Sequence, residues 1–405
     1  ELEVALAPTP HPLATAFGAL LSVAGTDGAI WLWQGTALAS LVALGVLITA
    51  LGARWFGLAA GLVAAAIVLT REPVLSFGLR AYLDLPYVCL LLGALLALAR
   101  PTLCLALIAL AGLLRPEAWL FAAAYAAWLW RRGGLRRHHV ALAAGAPLLW
   151  ALHDLVLTGD PLWSLTGTQE NAETLQRVTG LDDVPVTTPR RLGEILREPV
   201  LLAAAAGIVL TWRAQRERAR LGLAVIAVAL AAFVVLAAAG LPLLTRYLLL
   251  PAALLALFAG AALTGWMRAR DRLWVATAAV CAVAFAVFVP AQADRLDRLV
   301  RALDRQAAIL DDLDGLVARR PCTPVTLPNR RAIPQVRLWE HLRPAQVRSA
   351  QDGPLAGTYY APASRAVARD FVLDRRDRDR RVPPPPPGSV VASTRSWLVA
   401  DLCGL

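Results

Sequence analysis

Long blocks of apolar residues, separated by short polar or basic connections, fill the chain from about residue 30 to residue 290. A helix rises about 1.5 Å per residue, so roughly 20 apolar residues cross the hydrocarbon part of a bilayer. The pattern therefore predicts roughly nine membrane helices. The blocks are Ile30–Gly52, Leu58–Leu69, Leu85–Ala99, the short pair Leu103–Leu114 and Trp119–Trp130, Val140–Leu157, Pro199–Trp212, Leu221–Leu243, Tyr247–Trp266 and Leu273–Val289.

The segments on either side of these blocks have different patterns. His11–Gly25 is apolar but short and interrupted, which predicts a helix that starts at Pro12 and lies at the membrane interface. Apolar residues between Asp294 and Arg320 recur with a helical period and predict an amphipathic helix that leaves the membrane. Strand-like pieces follow at Pro324–Leu327, Ser389–Ala392 and Ser396–Val399, and a loop is predicted from the charge run Arg375–Arg381 and the prolines 383–387.

The predicted fold is an all-α polytopic membrane bundle followed by a small α/β C-terminal domain. We expect residues 1–29 to hold the end of an outer loop and the interfacial helix, and residues 30–290 to form the transmembrane domain, with an outer loop at 158–198. Residues 291–405 are expected to form a soluble domain. The chain begins at Glu1 without Met or a signal peptide, which indicates that the natural protein has a further N-terminal part.

Composition supports a membrane protein over a soluble enzyme. Hydrophobic residues make up 58% of the chain and charged residues 17%, against roughly 45–50% and about 25% in average globular domains. The net charge of +11 comes from arginines that cluster at the ends of the apolar blocks, where they set topology and contact anionic headgroups. Few aromatic residues accompany these arginines, so the chain lacks the stacking surface of a nucleic-acid-binding protein.

The arginine clusters also predict an orientation. If the densest clusters face the cytoplasm, residues 1–12, 71–84, 158–198, 240–246 and the C-terminal domain lie outside. Four arginines then lie on the outer side, although arginines favour the cytoplasmic side. Each could mark a bound anion. Alternatively, each could extend its side chain to the membrane surface or pair with a nearby carboxylate such as Glu72, Asp84 or Glu117. These arginines are Arg71, Arg80, Arg115 and Arg246.

The five cysteines fall into two groups. Cys89, Cys104 and Cys281 lie in apolar blocks and are expected to be small core residues. Cys322 and Cys403 flank the C-terminal domain, where they form either a disulfide or two free thiols.

Polar residues at the predicted outer ends of helices are the candidates for chemistry. No P-loop, dinucleotide fingerprint, HExxH or Cys-x-x-Cys motif occurs, and glycines such as Gly112 and Gly145 are expected to pack helices together. Four polar motifs are predicted on one side of the membrane: Pro8–Leu13, Arg80–Pro86, Leu114–Trp119 and Thr245–Pro251.

These motifs resemble those of the GT-C superfamily of polyprenyl-phosphate-sugar-dependent glycosyltransferases, in particular the protein mannosyltransferase and aminoarabinose transferase branch. His11–Leu13 is similar to a His/Lys-Pro-Pro-Leu motif with one proline fewer, and Leu83–Pro86 is similar to a Leu-Asp-x-Pro motif. Arg246 and Tyr247 with Pro251 look like an Arg-Tyr-x-x-Pro motif. The resemblance covers about residues 8–290 in helix order.

The resemblance implies an inverting transfer of a sugar from a polyprenyl-phosphate donor to an extracytoplasmic acceptor, in a bacterial plasma membrane and with the C-terminal domain outside. It implies no certain cofactor, although Asp84 could help to bind a divalent cation, and no metal ligands are assigned. The implied roles are Asp84 and Glu3 as catalytic residues, Arg246, Tyr247 and Arg80 as ligands of the donor phosphate, and His11, Arg115 and Glu117 as residues lining the cleft.

Simpler interpretations stay open for the same residues. Asp84 could form a salt bridge with Arg80, His11 could only start a helix, and Arg115 could pair with Glu117. Asp160 is expected to be a turn residue. For the whole chain, the alternatives are a transporter or lipid-handling protein without transferase activity, and a scaffolding subunit with a degenerate site.

Overall fold

The computed structural model describes residues 9–269, 271–318, 320–373 and 382–404, and these are mostly helical. They separate into two compact units. The larger unit contains the described residues through 169 and those from 178 to 297, and the smaller contains 170–177 and those from 298 onward. The predicted charge run Arg375–Arg381 lies outside the described residues.

Helices dominate the chain before residue 318, with 3-10 turns at Ser22–Ala24 and Thr245–Leu248. These helices are α1 (Pro12–Leu21), α2 (Gly25–Trp55), α3 (Leu58–Leu69), α4 (Glu72–Leu79), α5 (Asp84–Leu96), α6 (Pro101–Leu114), α7 (Ala118–Arg131), α8 (Arg137–Thr158), α9 (Trp163–Thr174), α10 (Val184–Leu196), α11 (Glu198–Ala214), α12 (Arg216–Ala238), α13 (Leu249–Thr264), α14 (Trp266–Ala269) and α15 (Arg272–Val317).

Several of these helices are apolar enough to cross a membrane. Within the described residues, five spans are long enough, or up to seven if the bent pairs α3–α4 and α10–α11 each count as one. Two further apolar helices, α5 and α6, are shorter. The prediction of a polytopic helical protein is thus confirmed, whereas fewer long spans are present than the apolar blocks indicate, because several blocks fold into helices shorter than a bilayer requires.

The two kinds of helix surface in the larger unit differ sharply. Large apolar side chains such as Val156, Leu202 and Val280 are exposed, as expected of helix faces covered by lipid. In contrast, α13 is buried around most of its circumference and packs against α3 and α11. A Cβ added at Gly207 would lie 1.9 Å from the carbonyl oxygen of Phe258, so glycine is required for this close approach.

Three segments of the larger unit test the local predictions. The segment after His11 is helical and begins at Pro12, as predicted. The segment predicted as an outer loop, Thr158 to Glu198, is mostly helical and forms α9 and α10. Pro185 lies in the first turn of α10, where its missing N–H costs no hydrogen bond. The two helices predicted on either side of Pro290 are a single helix, α15, which contains that proline.

The arginine-rich ends of the helices meet at one end of the larger unit. Arg54 donates to the carbonyl oxygen of Leu96 at 2.7 Å, and Arg218 donates to that of Trp55 at 2.6 Å. The guanidinium of Arg268 lies against Gly57. These contacts satisfy carbonyls that the ends of α2 and α5 would otherwise leave without partners.

The smaller unit contains a mixed sheet, which confirms the predicted strands near residues 325, 390 and 398. The strand order is β2-β1-β3-β5-β4, with β1 parallel to both neighbours and β5 antiparallel to both of its own. Its elements are β1 (Val325–Leu327), α16 (Ile333–Trp339), β2 (Val347–Ser349), β3 (Gly357–Pro362), α17 (Arg365–Val367), β4 (Val390–Ser393) and β5 (Trp397–Leu402).

The end of α15 supplies part of the core of this smaller unit. Leu313 and Leu316 pack with the strand residues Val325 and Val399, and the indole N–H of Trp397 donates to the carbonyl oxygen of Ile309 at 2.8 Å. The apolar residues that recur with a helical period toward the end of α15 therefore pack in the core of the smaller unit.

The cysteines of the smaller unit form a disulfide between Cys322 and Cys403, which settles the choice left open by the sequence. Cys104 and Cys281 are buried and Cys89 is partly buried, all three as free thiols.

Candidate functional site

A buried ion pair is the centre of the candidate site. Asp84 begins α5 and Arg115 follows the last residue of α6. Arg115 donates to Asp84, and it also donates to Glu117 Oε1 from Nε at 3.1 Å and from Nη2 at 2.8 Å. The side chains of Arg115, Asp84 and Glu117 are 9%, 4% and 8% exposed. One guanidinium is thus held between two carboxylates, which a buried charge requires.

The sequence left open a salt bridge between Asp84 and Arg80, and the structure shows Arg115 as the buried partner of Asp84. Arg80 ends α4 and is exposed, whereas Arg115 is buried beside Asp84. The pairing of Arg115 with Glu117 is confirmed, although the two residues lie in the connection between α6 and α7 and not on one helix turn.

Arg246 lies at the edge of the same cluster, in the 3-10 turn before α13. Its Nε is 3.9 Å from Asp84 Oδ1, and its guanidinium carbon is 5.6 Å from the ring centroid of Tyr82 and 5.7 Å from that of Tyr247. The side chain is 31% exposed, and its Nε has no hydrogen-bond partner among the described residues. This Nε is buried, but no hydrogen bond joins the rest of the guanidinium to the described residues, so the exposed part of Arg246 can donate to an anion.

Two neighbours fix the turn that carries Arg246. The ring centroid of Tyr247 lies 4.2 Å from the guanidinium carbon of Arg115, a distance typical of a cation–π contact. The Thr245 hydroxyl donates to Glu194 Oε2 at 2.7 Å, and Glu194 accepts from Arg191 at 2.8 Å.

His11 lies against this cluster. It is the residue before α1, its ring packs edge-on against Trp150 with centroids 5.7 Å apart, and it hydrogen-bonds the backbone of Leu114. Burial, followed by the positive charge of Arg115, lowers the pKa of His11 to about 4, although the negative charge of Asp84 opposes this. The ring is therefore neutral near pH 7, and its Nδ1 has no partner among the described residues.

An apolar cavity of about 520 Å³ adjoins the cluster. Tyr82, which contacts Arg246, and Leu114, which precedes Arg115, are part of its wall. The other wall residues include Leu13, Phe17, Trp33, Pro86, Leu90 and Leu107. The cavity suits an apolar chain whose polar end lies at Arg246.

Asp160 and Asp154 have structural roles. Glu3 lies outside the described residues. Asp160 accepts from the backbone N–H of Leu162 at 2.9 Å and is a turn residue, as predicted. Asp154 accepts from both the backbone and the hydroxyl of Ser164 at 2.9 Å, so it anchors the start of α9.

Neither carboxylate cluster in the described residues is arranged for a metal ion. Arg115 occupies the space between Asp84 and Glu117 that a cation bridging them would take. Cys322, Asp401 and Cys403 lie within ligand distance of one another, but both thiols belong to the disulfide, so they offer no thiolate.

Sequence reasoning missed two residues of the site. Tyr87 is buried 5.7 Å from the Arg115 guanidinium carbon, measured from its ring centroid, and Glu194 holds the Arg246 turn. Tyr87 lies three residues after Asp84 and so faces the same side of α5, a signal that helix periodicity provides. Glu194 lies in the segment that was expected to be a loop.

Residues of all three motifs that carry the family resemblance meet in space, since the charges of Arg115, Asp84 and Arg246 act on His11. No family model, no curated protein and no solved structure matches the chain.

Proposed function

We propose that the chain is a membrane glycosyltransferase that moves a sugar from a polyprenyl-phosphate donor to an extracytoplasmic acceptor. The observation that carries the proposal is Arg246, a partly exposed guanidinium with unused donors beside an apolar cavity. A lipid phosphate has both parts that this arrangement suits, an anionic headgroup and a long apolar chain.

The chemistry needs a cation where negative charge develops. The acceptor hydroxyl oxygen forms a bond to the anomeric carbon of the sugar, the bond from that carbon to the phosphate oxygen breaks, and the bonding electrons leave with the lipid phosphate. Arg246 stabilises this phosphate as its charge increases. Tyr82 and Tyr247 flank the Arg246 guanidinium and limit the directions it can take.

The proton of the acceptor hydroxyl must pass to a base. Asp84 and Glu3 are the candidates that the family resemblance supplies, and Glu117 has a buried Oε2 without a partner among the described residues. Asp84 Oδ1 accepts from Arg115 and lies 3.9 Å from Arg246 Nε, so we assign Asp84 to positioning these two arginines. Glu117 Oε2 is therefore the described oxygen that we assign to accept this proton.

The proposal includes an orientation. The arginine contacts at Leu96 and Trp55 lie at the opposite ends of α5 and α2 from the candidate site. Placing those arginines in the cytoplasm puts Asp84 and Arg246 at the outer surface of a bacterial plasma membrane, together with the acceptor.

The test uses the full chain in nanodiscs and undecaprenyl phosphate as the probe, because this lipid is what remains after any such sugar has left. Wild type is expected to bind it saturably, Arg246→Gln to weaken binding by about tenfold or more, and Arg246→Lys to fall between them. Arg213→Gln, on an exposed arginine of α11, is the matched control. Equal affinity in wild type and Arg246→Gln would rule out this phosphate site.

Transfer is measured separately, with polyprenyl-phosphate donors that carry radiolabelled sugars. Wild type is expected to release the label. Glu117→Gln is expected to lose this release while its affinity for undecaprenyl phosphate stays unchanged. Binding without release of any tested sugar would count against the transferase.

A lipid-handling protein or transporter is the second candidate, and the two bent helix pairs favour it. The α3–α4 pair bends by 69° and the α10–α11 pair by 104°, and broken membrane helices are common in transporters. Movement of labelled undecaprenyl phosphate between leaflets of proteoliposomes, without sugar release, would select this function.

A further inference from the structure

One pentapeptide occurs twice in the chain, as residues 71–75 and as residues 197–201. Both copies read Arg-Glu-Pro-Val-Leu. In each copy the arginine precedes the first residue of a helix, the proline lies in its first turn, and the valine is buried in the core. Each copy also lies where one helix bends sharply into the next, α3 into α4 and α10 into α11. We call these two places the Arg-Glu-Pro corners.

The two corners contact each other. Arg197 of the second corner forms an ion pair with Glu72 of the first. Gln292 of α15 donates to the carbonyl oxygen of Thr70 at 2.7 Å and to Glu72 Oε2 at 3.3 Å. Arg71 is held by a hydrogen bond from its Nε to the carbonyl oxygen of Ile67 at 2.9 Å.

Positive charge accumulates at this place. Arg71 lies within electrostatic range of both Arg197 and Arg295, and Arg197 lies within range of Arg295. Three arginines thus lie in one neighbourhood, where Glu72 is paired with Arg197 and Glu198 is exposed. Like charges repel, so an anion bound among these arginines would reduce their repulsion.

Backbone N–H groups add to the positive electrostatic potential at the two corners. The helices α4 and α11 both begin here, and neither has a side-chain hydrogen bond at its N-terminal cap, so their first N–H groups favour an anion. Arg197 has φ of 70°, a value that residues other than glycine rarely adopt and that is found more often at functional sites. Its Nε is buried and has no hydrogen-bond partner among the described residues.

We propose that the two Arg-Glu-Pro corners bind a phosphate group through Arg71, Arg197 and Arg295. The phosphate is either free or part of the headgroup of an anionic lipid, since several arginines and helix N-termini suit both. This site is separate from Arg246, and the proposal does not depend on the transferase function.

The test uses the full chain in phosphatidylcholine nanodiscs, with phosphatidylglycerol and inorganic phosphate as probes. The variant Arg71→Gln/Arg295→Gln leaves the Arg197–Glu72 ion pair intact, which protects the fold. Arg190→Gln is the matched control, because Arg190 is an exposed arginine of α10. Native mass spectrometry measures how much phosphatidylglycerol stays bound, and a thermal shift at constant ionic strength measures the effect of phosphate against chloride.

Wild type and Arg190→Gln are expected to prefer phosphatidylglycerol over phosphatidylcholine, and the double variant to lose about tenfold in affinity. If inorganic phosphate displaces the lipid, the recognised group is phosphate from either source; if it does not, the ligand is the lipid headgroup. Binding of neither probe to wild type, or equal binding to wild type and double variant, would overturn the proposal. Arg246→Gln is expected to leave this binding unchanged, which separates the two sites.

Discussion

Asp84 and Arg115 lie 31 residues apart in sequence and form an ion pair in which both side chains are less than one-tenth exposed. The pair joins the start of α5 to the end of α6. It also sets the position of Tyr247, whose ring packs on the Arg115 guanidinium. The candidate site therefore depends on this pair for its shape.

Arg115→Met is expected to destabilise the protein strongly. The change leaves Asp84 and Glu117 buried without their partner, and breaking such a pair from one side costs about 3–5 kcal/mol. Unfolding in detergent measures the loss. Glu217→Gln, at an exposed ion pair with Arg220, is the control and should cost less than about 1 kcal/mol. A loss for Arg115→Met as small as that of the control would contradict the structural role.

His11 predicts a dependence of stability on pH. Burial lowers its pKa from about 6.5 to about 4 in the folded protein, so between these values the unfolded chain binds a proton that the folded protein does not. Stability is therefore complete above about pH 6.5 and falls as the pH falls toward 4, by on the order of 3 kcal/mol. The difference between unfolding curves of wild type and His11→Gln isolates this contribution, since other groups titrate in both. A difference that does not change with pH would count against the buried, neutral ring.

Replacing glycine by alanine is expected to have opposite effects on stability at Gly207 and Gly145. Gly207→Ala would place a Cβ 1.9 Å from the carbonyl oxygen of Phe258, and separating the helices to make room is expected to cost about 2–3 kcal/mol. Gly145 has nothing within 4 Å of its added Cβ, so its prediction as a packing residue is wrong. Gly145→Ala is expected to stabilise α8 by about 0.5–1 kcal/mol. Thermal unfolding of both variants checks the pair, and a neutral Gly207→Ala would show that the helices separate easily.

The disulfide between Cys322 and Cys403 determines how many cysteines can react with a thiol reagent before and after reduction. The denatured chain should react with a thiol reagent at three cysteines before reduction and at all five afterwards, because Cys89, Cys104 and Cys281 are free. Cys322→Ala/Cys403→Ala removes a link between residues 81 apart in sequence and is expected to cost about 4 kcal/mol. Limited proteolysis of the full chain should then cleave beyond residue 320 more readily. Five reactive thiols without reductant would disprove the bond.

Local patterns predicted most of the helices, because an apolar block and a first-turn proline are properties of neighbouring residues. Pro12 starts its helix as expected. The continuous α15 was not predicted, since Pro290 lies where the apolar pattern changes and proline is a strong local signal for a helix break. Residues near Val184 were read as a loop because they are polar, although α10 has one apolar face.

The sequence predicted which residues belong to the candidate site, but it did not predict which of them pair with each other. Sequence placed Asp84, Arg115 and Arg246 on one side of the membrane, and they do meet. It offered Arg80 as the partner of Asp84 because the two are near in sequence, whereas helix packing selects Arg115. Contacts between residues that are far apart in sequence depend on helix packing, which composition and periodicity do not specify.

The end of α10 contacts both the turn that carries Arg246 and the first Arg-Glu-Pro corner. Glu194 holds the turn of Arg246 through Thr245, and Arg197 holds the first Arg-Glu-Pro corner through Glu72. They lie only three residues apart in sequence, and Arg197 follows the last residue of α10. An anion that holds Arg197 in place would therefore also anchor the end of α10, which carries the carboxylate that holds the Arg246 turn, without touching Arg246 itself.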